Sequence, residues 1–235
     1  MKIKRAVKRR IDRLLGRPTS HRRFISSDIG VQGFLEILKD NNIRYVVLRW
    51  FESLPTVQTG EDIDILVADE DVKKLTSLLT VAGNENDTPC DIYSVSGLSG
   101  TNSHGLPYYP PSNAKSILDN ALLLNGIARV PGPDEHFLSL SYHAVYRKGY
   151  LSGIPSRDPT LNVKVISPRD HDYVGEIKKL HEHSSYRERA LDITLEGVDA
   201  LLAECRWRPL PDVLKEMARR NEWIREALVT SPVAQ

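Results

Sequence analysis

The hydrophobic positions of the chain change period along its length, and those changes mark out its elements. Phe34, Leu35 and Leu38 recur at helical spacing behind Asp28, a residue suited to capping, so a helix is predicted over 31–41. The run RYVVLRW at 44–50 is β-branched and aromatic and reads as a strand. After a turn-rich stretch at 52–60, DIDILV at 62–67 reads as a second strand. A helix is predicted over 69–82, with Val72, Leu75, Leu78 and Leu79 inward, and a third short strand over 91–95. Residues 96–113, broken by glycines and prolines, predict a long loop, and loops of that length are commonly functional. Beyond residue 114 the period is helical, with segments at 114–124, 133–148, 168–183, 193–204 and 211–228, and a proline-bearing linker at 150–165. The predicted class is α/β (α+β): a small mixed sheet over 28–113, then a helical lobe over 114–235.

Charge divides the chain further. Residues 1–23 hold ten Lys or Arg against the single acid Asp12, a formal +9, so the other 212 residues, with 22 bases and 30 acids, carry −8. Ile3, Val7, Ile11, Leu14 and Leu15 form one apolar stripe in this basic segment, which predicts an amphipathic helix within 1–27. Such a helix suits an anionic membrane surface, with each base worth roughly 1 kcal/mol near the lipid. Docking on the body or on a second subunit is the competing reading. Nucleic acid is the least favoured partner, because the segment lacks interleaved aromatic residues. The 235-residue chain has two cysteines, Cys90 and Cys205, no disulfide framework and no apolar run long enough to span a bilayer. A signal peptide is not apparent either. The expected location is cytoplasmic, with peripheral contact at the inner membrane face.

The chemistry is carried by acids. Side chains on a strand alternate, so Asp62 and Asp64 project from one face of DIDILV while Ile63, Ile65 and Val67 share the other. Like charges so close call for a cation between them, and oxygen ligands suit a divalent ion such as Mg²⁺. Asp91 opens the next predicted strand and brings a third carboxylate to the same place, with Asp87 its nearby rival. Three convergent carboxylates would hold two ions, which together stabilise the attacking and leaving oxygens of a phosphoryl displacement.

The strand YVVLRW, a spacer, and then GEDIDILV resemble the nucleotidyltransferase superfamily with its polymerase-beta-type palm, over roughly residues 31–100. The finer resemblance is to bacterial nucleotidyltransferase-like proteins associated with surface-polysaccharide biosynthesis. That resemblance implies catalytic and metal-holding roles for Asp62, Asp64 and Asp91, and two Mg²⁺ ions. It also implies a nucleoside triphosphate as donor and a small-molecule or saccharide acceptor. In the family a helix beside the palm supplies basic groups to phosphate, which makes His143, Arg147 and Lys148 candidates here. The alternative for Arg147 and Lys148 is that they complement the negative end of their helix. The chain departs from the family where a Gly-Ser turn is expected, for it has Leu48-Arg49-Trp50. Arg49 can offer phosphate a charged fork in place of backbone donors, or the nucleotide site is altered and the protein is a non-catalytic binding module recruited to a membrane-associated assembly.

Other residues fit structural roles. His136 suits an internal hydrogen bond, and His171, His181 and His183 suit a solvated helix face. Trp207 and Trp223 suit anchoring of the C-terminal helices, and Tyr108 and Tyr109 either wall a ligand site or pack a loop.

Overall fold

The computed structural model describes residues 22–58, 60–102, 105–169 and 171–230. The predicted basic helix lies outside the described residues, apart from the last residues of its segment. The described chain is mixed α+β, with a four-stranded sheet, a separate two-stranded hairpin and a run of helices.

The large sheet is built from β1 (Arg23–Ile25), β2 (Tyr45–Val47), β3 (Ile63–Val67) and β4 (Thr88–Ser94), in the order β1-β4-β3-β2. The central pair β3/β4 is parallel and the two outer pairs are antiparallel. Alternation sends Ile63, Ile65, Val67, Cys90 and Ile92 to one face, where they pack with helix α1 (Gly30–Asp40) through Phe34, Leu35 and Leu38. Val46, Leu66 and Tyr93 go to the other face, which is covered by helices from the second half of the chain. Both faces are therefore dry, and β3 is buried along its whole length.

The observed elements depart from the expected ones for local reasons. β1 was not predicted, since three residues carry no readable period. It exchanges backbone hydrogen bonds with Thr80, which ends the predicted 69–82 helix early: a 3₁₀ turn at Asp69–Asp71 leads into α2 (Val72–Ser77) only. At the start of α1 the N-cap is Ile29, not Asp28, and no side chain caps it. The predicted 114–124 helix begins sooner, as α3 (Pro111–Asp119), with Pro111 in the first turn. Its expected tail instead forms β5 (Leu122–Leu124), which pairs with β6 (Ala128–Val130). The intervening Asn125 and Gly126 both have positive φ, as an Asn-Gly hairpin turn requires.

Helix α4 (Pro133–Tyr142) runs on into a wider π turn, His143–Lys148, and then a 3₁₀ turn, Gly149–Ser152. The expected linker contains a further 3₁₀ segment, Pro159–Lys164. Asp172 caps α5 (Tyr173–His183) and Thr194 caps α6 (Leu195–Glu204). The expected 211–228 helix is two helices, α7 (Pro211–Met217) and α8 (Glu222–Thr230), because the Asn221 side chain accepts from the Ile224 N–H and starts a new helix. Trp207 and Trp223 are buried in this lobe. No described helix is long and apolar enough to cross a membrane.

Candidate functional site

Parallel pairing of β3 with β4 sets Asp64 opposite Asp91. Asp62 precedes Ile63 by one residue and so shares their face. The three acids stand together at the N-terminal end of β3 and beside its neighbour, on the face that continues into Leu66 and Tyr93. This matches the convergence expected from the sequence. Asp87 is elsewhere, accepting from the backbone N–H groups of Ser27 and Asn84.

Two guanidinium groups meet these acids, in unlike surroundings. Arg49 reaches Asp64 with Nη2 at 2.7 Å, and both side chains are buried. The Tyr93 hydroxyl donates to the other Asp64 oxygen at 3.0 Å, so both oxygens of this carboxylate are committed. Burial opposes the charge on Arg49, yet the Asp64 carboxylate, together with Tyr108, Tyr93 and Tyr109, outweighs it and holds the guanidinium firmly protonated. Burial pushes the Asp64 carboxyl up against the pull of Arg49, with the nearby Asp62 charge adding to the rise. The remaining Arg49 Nη1 is buried with no hydrogen-bond partner among the described residues.

Arg22 is the second cation. It pairs with Asp62 and also lies 3.7 Å from Asp91, so one partly exposed guanidinium bridges both acids. Asp91 accepts at Oδ1 from the Asn102 amide (2.9 Å), and Asn102 in turn exchanges hydrogen bonds with the Ile92 backbone. Burial raises the Asp91 carboxyl to about 6, helped by the charges on Asp64 and Asp62 and resisted by Arg22 and Arg49.

The other basic candidates separate. Lys148 is half-buried and acts electrostatically on Asp64. His143 is buried between two hydroxyls, Nδ1 at 2.5 Å from Tyr108 and Nε2 at 3.2 Å from Tyr173. Burial, reinforced by Arg49, Lys148 and Arg147, holds it well below the usual histidine range, so it is a neutral hydrogen-bonding group. Arg147 engages Tyr108. Its Nη2 donates to the Tyr108 carbonyl at 2.7 Å and its guanidinium lies 4.0 Å from the ring centre. Tyr108 and Tyr109 are both core residues.

Beside Asp62 opens a cavity of about 270 Å³ lined by Arg49, Trp50, Glu52, Glu61 and His171 among others. Trp50 adopts φ +54°, a backbone region that favours glycine and costs a bulky residue about 1–3 kcal/mol. It is held there by the His171 ring, stacked at 4.0 Å and nearly parallel, and by the edge of Tyr173. The solvated-face expectation therefore fails for two of the three histidines. His171 precedes α5 and stacks on Trp50, and His181 is buried against Phe137, whereas His183 is exposed. His136 is buried, with its ring tilted against Phe51.

Carboxylate oxygens are the right donors for Mg²⁺. Among the described residues, however, no group of three or more His, Cys, Asp or Glu side chains is set to hold a metal. An ion on Asp64 must break its buried pair with Arg49, a change of about 3–5 kcal/mol when such a pair loses a partner. An ion on Asp62 and Asp91 competes instead with Arg22, whose partly exposed pairs are worth about 0–1 kcal/mol. The residues thus fit a divalent ion at Asp62 and Asp91 far better than at Asp64. No protein-family model and no curated protein matches the chain.

Sequence reasoning missed Arg22, Tyr93 and Asn102. Arg22 was counted with the basic segment, and the other two carry no signal until the strands are paired.

Proposed function

We propose that the acid cluster supports Mg²⁺-dependent transfer of a nucleotidyl or related phosphoryl group from a nucleoside triphosphate to a small-molecule or saccharide hydroxyl. The observation that carries this reading is the bridging of Asp62 and Asp91 by the single guanidinium of Arg22, since two carboxylates that already share one cation can share another. Asp62 and Asp91 would hold the ion, which when bound supplies charge neutralisation at phosphate oxygens. Arg49 and Lys148 flank Asp64 and are the cations available to phosphate, and the unpartnered Arg49 Nη1 is a donor still to be used. Asp64 acts through Arg49 as a positioning residue. Glu52, Glu61 and Asp62 make one side of the adjoining cavity anionic, which repels phosphate and suits the uncharged, hydroxyl-bearing part of a substrate.

The test is calorimetric titration of each common nucleoside triphosphate, with and without Mg²⁺, into the wild type and Asp62→Asn/Asp91→Asn. Triphosphate binding that needs Mg²⁺ and is lost in the double variant is expected. A non-catalytic binding module is the second reading, favoured by the buried Arg49–Asp64–Tyr93 lock. It predicts no Mg²⁺-dependent binding of any triphosphate.

A further inference from the structure

A second and larger cavity, about 460 Å³, lies in the helical region between the π turn His143–Lys148 and α7, and no wall residue is shared with the cavity beside Asp62. Leu106, Val213 and Met217 give it an apolar side, and Arg147 and Arg220 give it a cationic one. The acid on its wall, Glu216, is paired with Arg219 at 2.6 Å.

The cationic side is rigidly made. Tyr108 fixes the Arg147 guanidinium from two directions, by its carbonyl and by its ring, and leaves Arg147 Nε buried without a partner among the described residues. The floor is built with equal care. The Asn221 amide donates to the Val145 carbonyl at 2.8 Å. Gly149, at φ +57°, lets that amide in, since any Cβ there would collide with it. π turns frequently accompany functional sites, and Arg147 lies on this one.

We infer that this cavity binds an amphipathic anion, a phosphate monoester or carboxylate head on an apolar body, with the head on Arg147 and Arg220 and the body against Leu106, Val213 and Met217. The site is independent of what the acid cluster does. It meets that cluster at Tyr108, whose ring has Arg147 on it and Arg49 at 5.8 Å.

The chain has two methionines, Met1 and Met217, so methyl-labelled methionine gives a direct reporter on the cavity wall. Hexyl phosphate titrated into the full chain is expected to move the Met217 methyl resonance saturably, at one equivalent, and to leave the Met1 signal in place. Inorganic phosphate and hexanol should each bind at least about tenfold more weakly, because one lacks the buried chain and the other the charge. Arg147→Gln should weaken hexyl phosphate at least about tenfold. Arg220→Gln, at an exposed position, should weaken it severalfold and guards against a folding defect in the first variant. A still Met217 signal overturns the inference, as does hexanol binding equal to hexyl phosphate, or unchanged affinity in both arginine variants.

Discussion

Arg49 with Asp64 and Arg22 with Asp62 and Asp91 are the same chemical contact in two settings. The first is closed: both partners are out of water, and Tyr93 takes the last acceptor on the acid. The second is open, with a guanidinium side chain 42% exposed and acids 32% and 24% exposed. Depth assigns the roles. In the interior each charge is indispensable to the other, because the survivor would be left uncompensated. At the rim water and ions can stand in for either partner, so the acids are available for another ligand.

The sharpest way to break this contrast is Asp64→Ala. It strands Arg49 and should cost about 3–5 kcal/mol, which lowers the melting temperature by roughly 10 °C for a chain of this size. Thermal unfolding measures it, and Arg49→Met combined with Asp64→Leu should recover much of the loss. Loss of activity in Asp64→Ala alone would therefore report on the fold as much as on chemistry.

Acid titration is the next largest effect, because interior and rim respond with opposite signs. Burial holds His136 at about 4 and His143 well below its usual range, so the unfolded chain binds more protons and stability falls as pH drops from about 6.5 towards 4. For His136 the full effect is roughly 3 kcal/mol. Asp91, raised to about 6, holds its proton in the fold, and its share of stability falls as pH rises through the same window. Urea midpoints at pH 4.5 and 6.5, values chosen about the window of these shifts, should show a smaller acid loss in His136→Phe than in wild type. In Asp91→Asn the acid loss should be larger.

Between interior and rim sits the Trp50–His171 stack. His171→Ala should cost about 1 kcal/mol, the worth of one aromatic contact, read from the denaturation midpoint. The smallest stability effect is expected for Arg22→Ala, within about 1 kcal/mol. The same variant should tighten Mg²⁺ binding in a calorimetric titration, since Asp62 and Asp91 lose their competing cation. Weaker Mg²⁺ binding would count against these two acids as the ion's ligands.

The alternation in DIDILV was enough to place Asp62 and Asp64 on one face, and the next acidic strand start was enough to bring in Asp91, because a period of two has a single geometric meaning. What was not legible needed pairing partners. Nothing in Arg22-Arg23-Phe24-Ile25 announces a strand, and only its pairing with Cys90, Pro89 and Thr88 makes one and delivers Arg22 to the acids. The Asn125-Gly126 pair carries a hairpin signal, and β5 before it replaces the end of the expected 114–124 helix. Arg147 and Lys148 are adjacent in sequence, yet the turn that holds them sends Arg147 to a separate cavity. Adjacent side chains on a helix already point about 100° apart, so the spacing allows the divergence without saying where each side chain ends.

The one-to-one match of Asp64 with Asp91 across β3 and β4 also disciplines assembly of the sheet. If β4 docked one residue out of step, Asp91 and Tyr93 would swing into the hydrocarbon layer beneath Ile65, and Ile92 would rise among the carboxylates. Misaligned chains are thereby rejected by their own polarity, and the acid trio serves as a checkpoint on strand alignment before it can serve any ligand.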